Sequence, residues 1–66
     1  MGLRQLREAR GLTQTELAKR TGIAQTVISE YEHGKRNIRL MSLDNALKLS
    51  RALMCRPDEL VDGTPE

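Results

Sequence analysis

The chain predicts an all-α fold, five short helices in one compact domain, and three observations carry that prediction. Apolar residues recur three and four places apart, as at Leu3 and Leu6, Ile28 and Tyr31, or Ala46, Leu49 and Leu53, the period of a helix face rather than of a strand. Gly11, Gly22 and Gly34 fall where such segments should stop. Thr13, Ser42 and Pro57 are residue types that open helices, and each stands at the head of a periodic segment. With Tyr31 as the sole aromatic, the core must be mostly leucine, isoleucine and valine, and no cofactor-binding box is implied.

Taken in order, residues 2–10 form the first helix, with Leu3 and Leu6 inward and Arg4, Glu8 and Arg10 mostly outward. Arg4 and Glu8 stand one turn apart, a surface pair worth about 0.3 kcal/mol. Gly11 ends this helix, and Leu12 folds back as the apolar partner of the cap. Thr13 opens a second helix, 14–20, accepting from a free backbone N–H while Glu16 returns the bond. Its inner face holds Leu17 and Ala18. The chain then bends at Thr21-Gly22-Ile23, where Gly22 suits the positive φ common just past a helix end. A third helix spans 25–33 with Ile28 and Tyr31 inward, and Gly34 stops it. Residues 35–41, KRNIRLM, read as an irregular loop. Ser42 caps a fourth helix, 43–53, with Asp44 near its positive end and an apolar face of Leu43, Ala46, Leu47, Leu49 and Leu53. Pro57 suits the first position of a last short helix, with Asp58 and Glu59 in its opening turn. Leu60 and Val61 anchor it, and residues 62–66 are expected to fray.

A chain of 66 residues allows one domain. It buries only about 60% of its unfolded surface, so its stability should be a few kcal/mol. It has no apolar run near the ~20 residues that cross a bilayer and no secretory leader. One cysteine, Cys55, builds no disulfide framework. These features predict a cytoplasmic protein with no membrane association. No room remains for a ligand-sensing domain, so control should come through abundance, proteolysis or a partner.

The net charge is +2, unevenly spread: residues 1–40 hold eight Lys or Arg against four Asp or Glu, and residues 41–66 hold three against five. A basic end opposite an acidic one suits a protein that lays one side on a polyanion, though an ordinary solvated surface accounts for the charge equally well. The stretch TQTELAKRTGIAQTVISEYEH, Thr13 to His33, is more telling. Two helices crossing over a short glycine-containing turn make a helix-turn-helix, and the second fits a DNA major groove.

The blocks LREARGLTQTELAKRTGI, VISEYEHGKRN and SLDNALKLSRAL with PDEL, in this order and spacing, resemble the phage repressor and Cro-like helix-turn-helix family. The resemblance runs from Leu3 to Leu60. It implies the lambda-repressor-like fold of five helices, with the helix-turn-helix formed by helices 2 and 3. It also implies binding to double-stranded DNA, usually as a homodimer on a near-palindromic operator. Some positions depart from the family pattern. Ala24 replaces the usual Ser or Thr cap of the third helix, a loss of about 1 kcal/mol. Met54 occupies the usual glycine after the fourth helix, so the left-handed conformation there should be strained or avoided. Arg56 replaces a capping Ser, and the loop is about three residues longer, Ile38, Arg39 and Leu40 having no obvious counterparts.

On this reading, Gln25, Thr26, Ser29 and Glu30 face base edges, with Val27 partly shielded. Gln25 suits adenine N6 and N7, worth about 1–3 kcal/mol of discrimination; Thr26 suits a thymine methyl, and Ser29 can donate or accept. Glu30 either accepts from a cytosine amino group or pairs with a neighbouring Arg, the pairing being the simpler role. Phosphates are expected to meet Gln14, a role carried over from similar family members, and Lys35, Arg36, Asn37 and Arg39. Gln14 as a solvated glutamine, and Lys35-Arg36 as a basic turn complementing a helix dipole, are the plainer readings. The resemblance further implies that Arg7 and Glu32 form a partly buried ion pair, with a secondary phosphate contact from Arg7. His33 and Cys55 lack metal-ligand spacing: Cys55 should be a small buried group at a helix junction, and His33 should face solvent or a phosphate. Leu40, Met41, Met54 and Val61 are candidates for a dimer surface, with Leu40 and Val61 closer to ordinary core.

The function expected is a sequence-specific transcriptional regulator, a repressor on a two-fold operator, with no cofactor and no catalysis. The antitoxin half of a toxin pair, or a subunit of a regulatory complex whose DNA binding is vestigial, is the competing interaction-protein reading, with a toxin or polymerase as the kind of protein partner implied. An enzyme is disfavoured, because no nucleophile–base pair, glycine-rich phosphate loop or metal-ligand cluster appears.

Overall fold

The computed structural model describes residues 2–61, which form α1 (Leu3–Ala9), α2 (Gln14–Thr21), α3 (Gln25–Glu32), a single 3₁₀ turn (Ile38–Leu40), α4 (Leu43–Leu53) and α5 (Pro57–Val61). No strand occurs among them. The expected frayed tail, 62–66, lies outside the described residues.

Local chemistry explains the elements. Thr13 Oγ1 accepts from the Glu16 N–H at 3.1 Å, and Glu16 Oε1 accepts from the Thr13 N–H at 3.0 Å, a reciprocal box that opens α2. The returned bond, chiefly, pulls the Glu16 carboxyl below its ordinary value. Gly22 closes α2 at φ 75°, and a Cβ there would meet nothing within 4 Å, so glycine is favoured by the backbone alone. The buried Thr21 hydroxyl donates to Leu17 O at 2.8 Å and accepts from the Ile23 N–H at 3.2 Å, fastening the bend from inside. Ser42 Oγ accepts from the Asn45 N–H to open α4. α3 starts at Ala24 without a side-chain cap, as expected from the residue there.

The core is one continuous cluster. Leu3 and Leu6 of α1, Leu17 of α2, Ile28 and Tyr31 of α3, Leu49 and Leu53 of α4 and Leu60 of α5 meet in it, with Leu12 and Ile23 from the connections. α2 packs against α3 and α4, and α1 against α3 and α5. No buried side-chain nitrogen or oxygen among the described residues is left without a hydrogen bond.

Three expectations need correction. The loop 35–41 is not wholly irregular: Asn37 Oδ1 accepts from the Arg39 N–H, nucleating the 3₁₀ turn, and Ile38 is buried in the core. Leu43 leaves the apolar face of α4, being 73% exposed, and Leu47 is only half-buried; Leu49 and Leu53 carry the packing instead. Leu40 is 80% exposed rather than core. At Met54 the strained alternative of the two expected is the one found, since the residue adopts the left-handed conformation (φ 52°, ψ 48°) that its side chain disfavours. The conformation is held from across the fold: Arg10, read as outward-facing, donates from Nε to Leu53 O at 2.8 Å and from Nη2 to Met54 O at 3.3 Å. That contact satisfies carbonyls at the end of α4 that have no helical partner.

Candidate nucleic-acid interface

The two glutamines at the first positions of α2 and α3 meet: Gln25 Nε2 donates to Gln14 Oε1 at 3.0 Å. Gln14 in turn donates from Nε2 to Glu32 Oε1 at 3.1 Å. Glu32, near the end of α3, receives Arg7 in a two-pronged pair, Nε to Oε2 at 2.7 Å and Nη2 to Oε1 at 3.1 Å. The third arm of Arg7, Nη1, donates to Leu12 O at 2.7 Å. The Glu32 side chain is 1% exposed and that of Arg7 12%. The bond to Glu32, more than burial opposes it, holds the Arg7 guanidinium even more firmly charged than usual. Arg7 and Glu32 are thus brought together as the resemblance implied. With all three arms of Arg7 turned inward, little of the guanidinium is offered to a phosphate.

The outer face of α3 carries exposed Gln25 and Thr26 and half-buried Ser29, Val27 and Glu30. Ile28 and Tyr31 on the opposite side fix that face relative to the core. Ser29 lies beside His33, whose Nδ1 donates to Ser29 O at 2.8 Å and lies 3.2 Å from the Ser29 hydroxyl. Of the two readings for Glu30, the pairing one describes this geometry: Arg36 Nη2 lies 3.1 Å from Glu30 Oε1, with both side chains substantially solvated. The Arg36 guanidinium also stands 5.9 Å from the centroid of the Tyr31 ring. Lys35, Asn37 and Arg39 follow on the exposed segment between Gly34 and Ile38 and over the 3₁₀ turn. The box on α2 occupies the Thr13 and Glu16 N–H groups, so the first-turn amides of Gln14 and Thr15 are those the helix itself leaves over. Polar side chains from two helix starts and a basic segment therefore bracket one exposed helix face. That is an arrangement for gripping a backbone on either side of a groove.

The helix-turn-helix family model matches residues 3–60, nearly the whole chain. The chain belongs to the Cro/C1-type helix-turn-helix family of DNA-binding transcriptional regulators. Within that family it is similar to the control protein C.BamHI of Bacillus amyloliquefaciens, 40% identical, covering 94% of this chain and 74% of the relative. An uncharacterized HTH-type transcriptional regulator, y4dJ of Sinorhizobium fredii, is 41% identical over 89% of this chain and 82% of its own length. Among solved structures, the restriction-modification controller protein C.AhdI of Aeromonas hydrophila superposes with a TM-score of 0.76. It is 45% identical and spans 88% of this chain and 83% of that one.

In this helix-turn-helix chain, the chemistry that sequence reasoning missed is the chain of bonds from Glu32 through Gln14 to Gln25. The available signal was the placement of a glutamine at the first position of both α2 and α3, which brings two amides to adjacent helix starts. Cys55, expected to be buried, is only partly so; burial is the main reason its thiol sits above the ordinary value, disfavouring thiolate. Among the described residues, no group of three His, Cys, Asp or Glu is placed to hold a metal ion, and no helix is long and apolar enough to cross a membrane.

Proposed function

We propose that this regulator reads a two-fold operator as a homodimer, acts in the cytoplasm without a catalytic step, and serves as the controller of a restriction–modification gene pair. The observation that carries the DNA reading is the outward arc of exposed Gln25 and Thr26 and half-buried Ser29 on a helix whose opposite side is locked into the core by Ile28 and Tyr31. α3 enters the major groove with Gln25 and Thr26 leading, while Gln14, Lys35, Arg36, Asn37 and Arg39 grip phosphates. Glu30 steadies Arg36 rather than reading a base. The names of two relatives, a control protein and a restriction-modification controller, support the narrower biological role.

Two recognition helices on successive major grooves stand about 34 Å apart. The chain is 27 Å along its longest axis, so such spacing calls for two copies. Leu40 and Leu43, 80% and 73% exposed and flanking the start of α4, supply apolar surface for the contact, and Met54, 72% exposed, supplies more at its far end. Met41 and Val61 pack on the core and contribute less.

The test is selection of bound duplexes from a random pool at two salt concentrations, followed by location of the motif in the host genome. A two-fold motif upstream of a restriction–modification pair supports the proposal. Salt-sensitive binding without a motif refutes the sequence-reading role and favours an interaction protein whose partner covers Leu40 and Leu43. A motif elsewhere refutes only the narrower assignment.

A further inference from the structure

We propose that His33 is a further DNA-binding residue, one that takes up a proton as its ring meets a phosphate, so that operator binding strengthens as pH falls from 8 to 6. The inference rests on the reading of α3 as the base-contacting helix. His33 is the one histidine of the chain and the exposed residue that closes α3. It stands one turn beyond Ser29 and two beyond Thr26, on the same outward arc. A helix that enters the groove with its N-terminal residues leading lifts its far end, about 10 Å along the axis from Thr26, toward the phosphates of the rim.

The ring is held in one orientation. Nδ1 lies 2.8 Å from Ser29 O, a carbonyl that only accepts, so the hydrogen belongs on Nδ1. The Ser29 hydroxyl oxygen, 3.2 Å away, is a second acceptor for it. Nε2 is left outward, with no hydrogen-bond partner among the described residues. In the neutral ring Nε2 carries a lone pair, and a phosphate oxygen, itself an acceptor, gains nothing from it. Moving the hydrogen to Nε2 would set the Nδ1 lone pair against Ser29 O at 2.8 Å. With a second proton taken from solvent, Nδ1–H keeps its bond to Ser29 O while Nε2–H donates to a phosphate in a charge-assisted bond. Only the protonated ring serves both partners.

Charged groups reach this end of α3 from each element packed on it. On α3 itself Glu30 is paired with Arg36, and Glu32 with Arg7 of α1. Elsewhere on α1, Arg4 and Glu8 pair with each other, and Arg10 is bonded to the end of α4. α2 meets Glu32 through uncharged Gln14; its Glu16 is turned back on the Thr13 N–H, and Lys19 and Arg20 stand in its last turn. Lys35 and Arg36 belong to the segment that follows α3. Each carboxylate of α3 thus already has its arginine. A duplex adds phosphates and no cation, which favours the charged ring over the neutral one in the complex. The gain is therefore fully present below the free ring's titration and is lost as pH rises through that of the bound ring. Histidine ordinarily changes charge between pH 5 and 8, and the effect falls in that window.

The experiment measures affinity at pH 6 and pH 8 for wild type, His33→Gln and His33→Lys, on the duplex that selection recovers and at several salt concentrations. Wild type is expected to bind about tenfold or more tightly at pH 6, and His33→Gln to change by less than about threefold. His33→Lys, charged throughout, should show no such response and should exceed wild type at pH 8. The slope of log affinity against log salt should be steeper at pH 6 than at pH 8 by about 0.9 per protomer in wild type, and equal at the two values in both variants. The ¹H–¹⁵N spectrum of the ring should show the neutral free form carrying its hydrogen on Nδ1, and a titration midpoint that rises on the duplex. A wild type no tighter at pH 6, a response shared by His33→Gln, or a midpoint that stays or falls in the complex overturns the inference and leaves α3 as the reading helix. A selection that returns no motif overturns that reading, and the role of His33 with it.

Discussion

Arg7 and Glu32 offer the sharpest test of what holds α3 in place. Arg7→Met removes three donors at once: two from Glu32 and one from Leu12 O. The Glu32 carboxylate, 1% exposed, then keeps a single donor, Gln14 Nε2. Stranding a buried charge in this way costs about 3–5 kcal/mol. The whole domain should be stable by only about 3–10 kcal/mol at its length, so the single variant sits near the edge of folding. Glu32→Gln strands the guanidinium instead, at similar cost. Arg7→Met with Glu32→Gln leaves no unpaired charge and should lose only about 1–2 kcal/mol, since replacing both partners of a buried pair is far gentler than removing one. The double-mutant cycle should therefore return a coupling of at least about 2 kcal/mol. Urea unfolding followed by far-ultraviolet circular dichroism at low temperature measures it. Losses additive to within about 0.5 kcal/mol would mean that the 2.7 Å contact does not couple α1 to α3, and the account given for the rigidity of α3 would fail with it.

Three further perturbations probe the local chemistry. Met54→Gly should stabilise by about 0.5–1 kcal/mol, because φ 52° is relieved and a side chain 72% exposed gives up little packing; an unchanged or lower urea midpoint would contradict the strain argument. Ala24→Ser should raise stability by about 0.5–1 kcal/mol by capping α3, which lacks a side-chain cap, and a thermal melt shows it as a gain of a few degrees. Acid sensitivity should pass partly through Glu16. Its folded-state value is depressed by the Thr13 bond, so its contribution is present above the ordinary glutamate value near 4.5 and is lost as pH falls through the lower folded value. The melting-temperature gap between wild type and Glu16→Gln should accordingly narrow from pH 6 to pH 3; a constant gap would show that ionisation of Glu16 is not what the cap uses.

The helices were legible in the sequence because their signals are local. Thr13 with Glu16, Gly22, Ser42 and Pro57 mark boundaries by chemistry that acts within four residues, and the structure puts helix ends at each. Positions fixed by distant neighbours were not legible. Leu43 read as inward by periodicity, and Leu40, in the loop, as closer to core than to a dimer surface, yet it is Ile38 that the loop delivers to the core, and both leucines face out. Met54 takes the left-handed conformation with the help of Arg10, 44 residues away, a contact no local rule anticipates. At the candidate interface, residue types were readable one by one, but the bonds joining Glu32, Gln14 and Gln25 bring three separate helix positions together and emerge only from the packing of α2 on α3.

The burial of Ile38 has a mechanical consequence for the segment between it and α3. That stretch is pinned at one end by the Lys35 N–H bond to Glu30 O and at the other by a side chain sunk in the hydrophobic interior beside α5. It is therefore a taut strap with two moorings, only one of which belongs to α3. On the proposed reading, exchanging the outward residues of α3 between relatives would alter which bases are chosen without loosening the strap that carries the proposed phosphate contacts, so address and grip could be revised separately in this small protein.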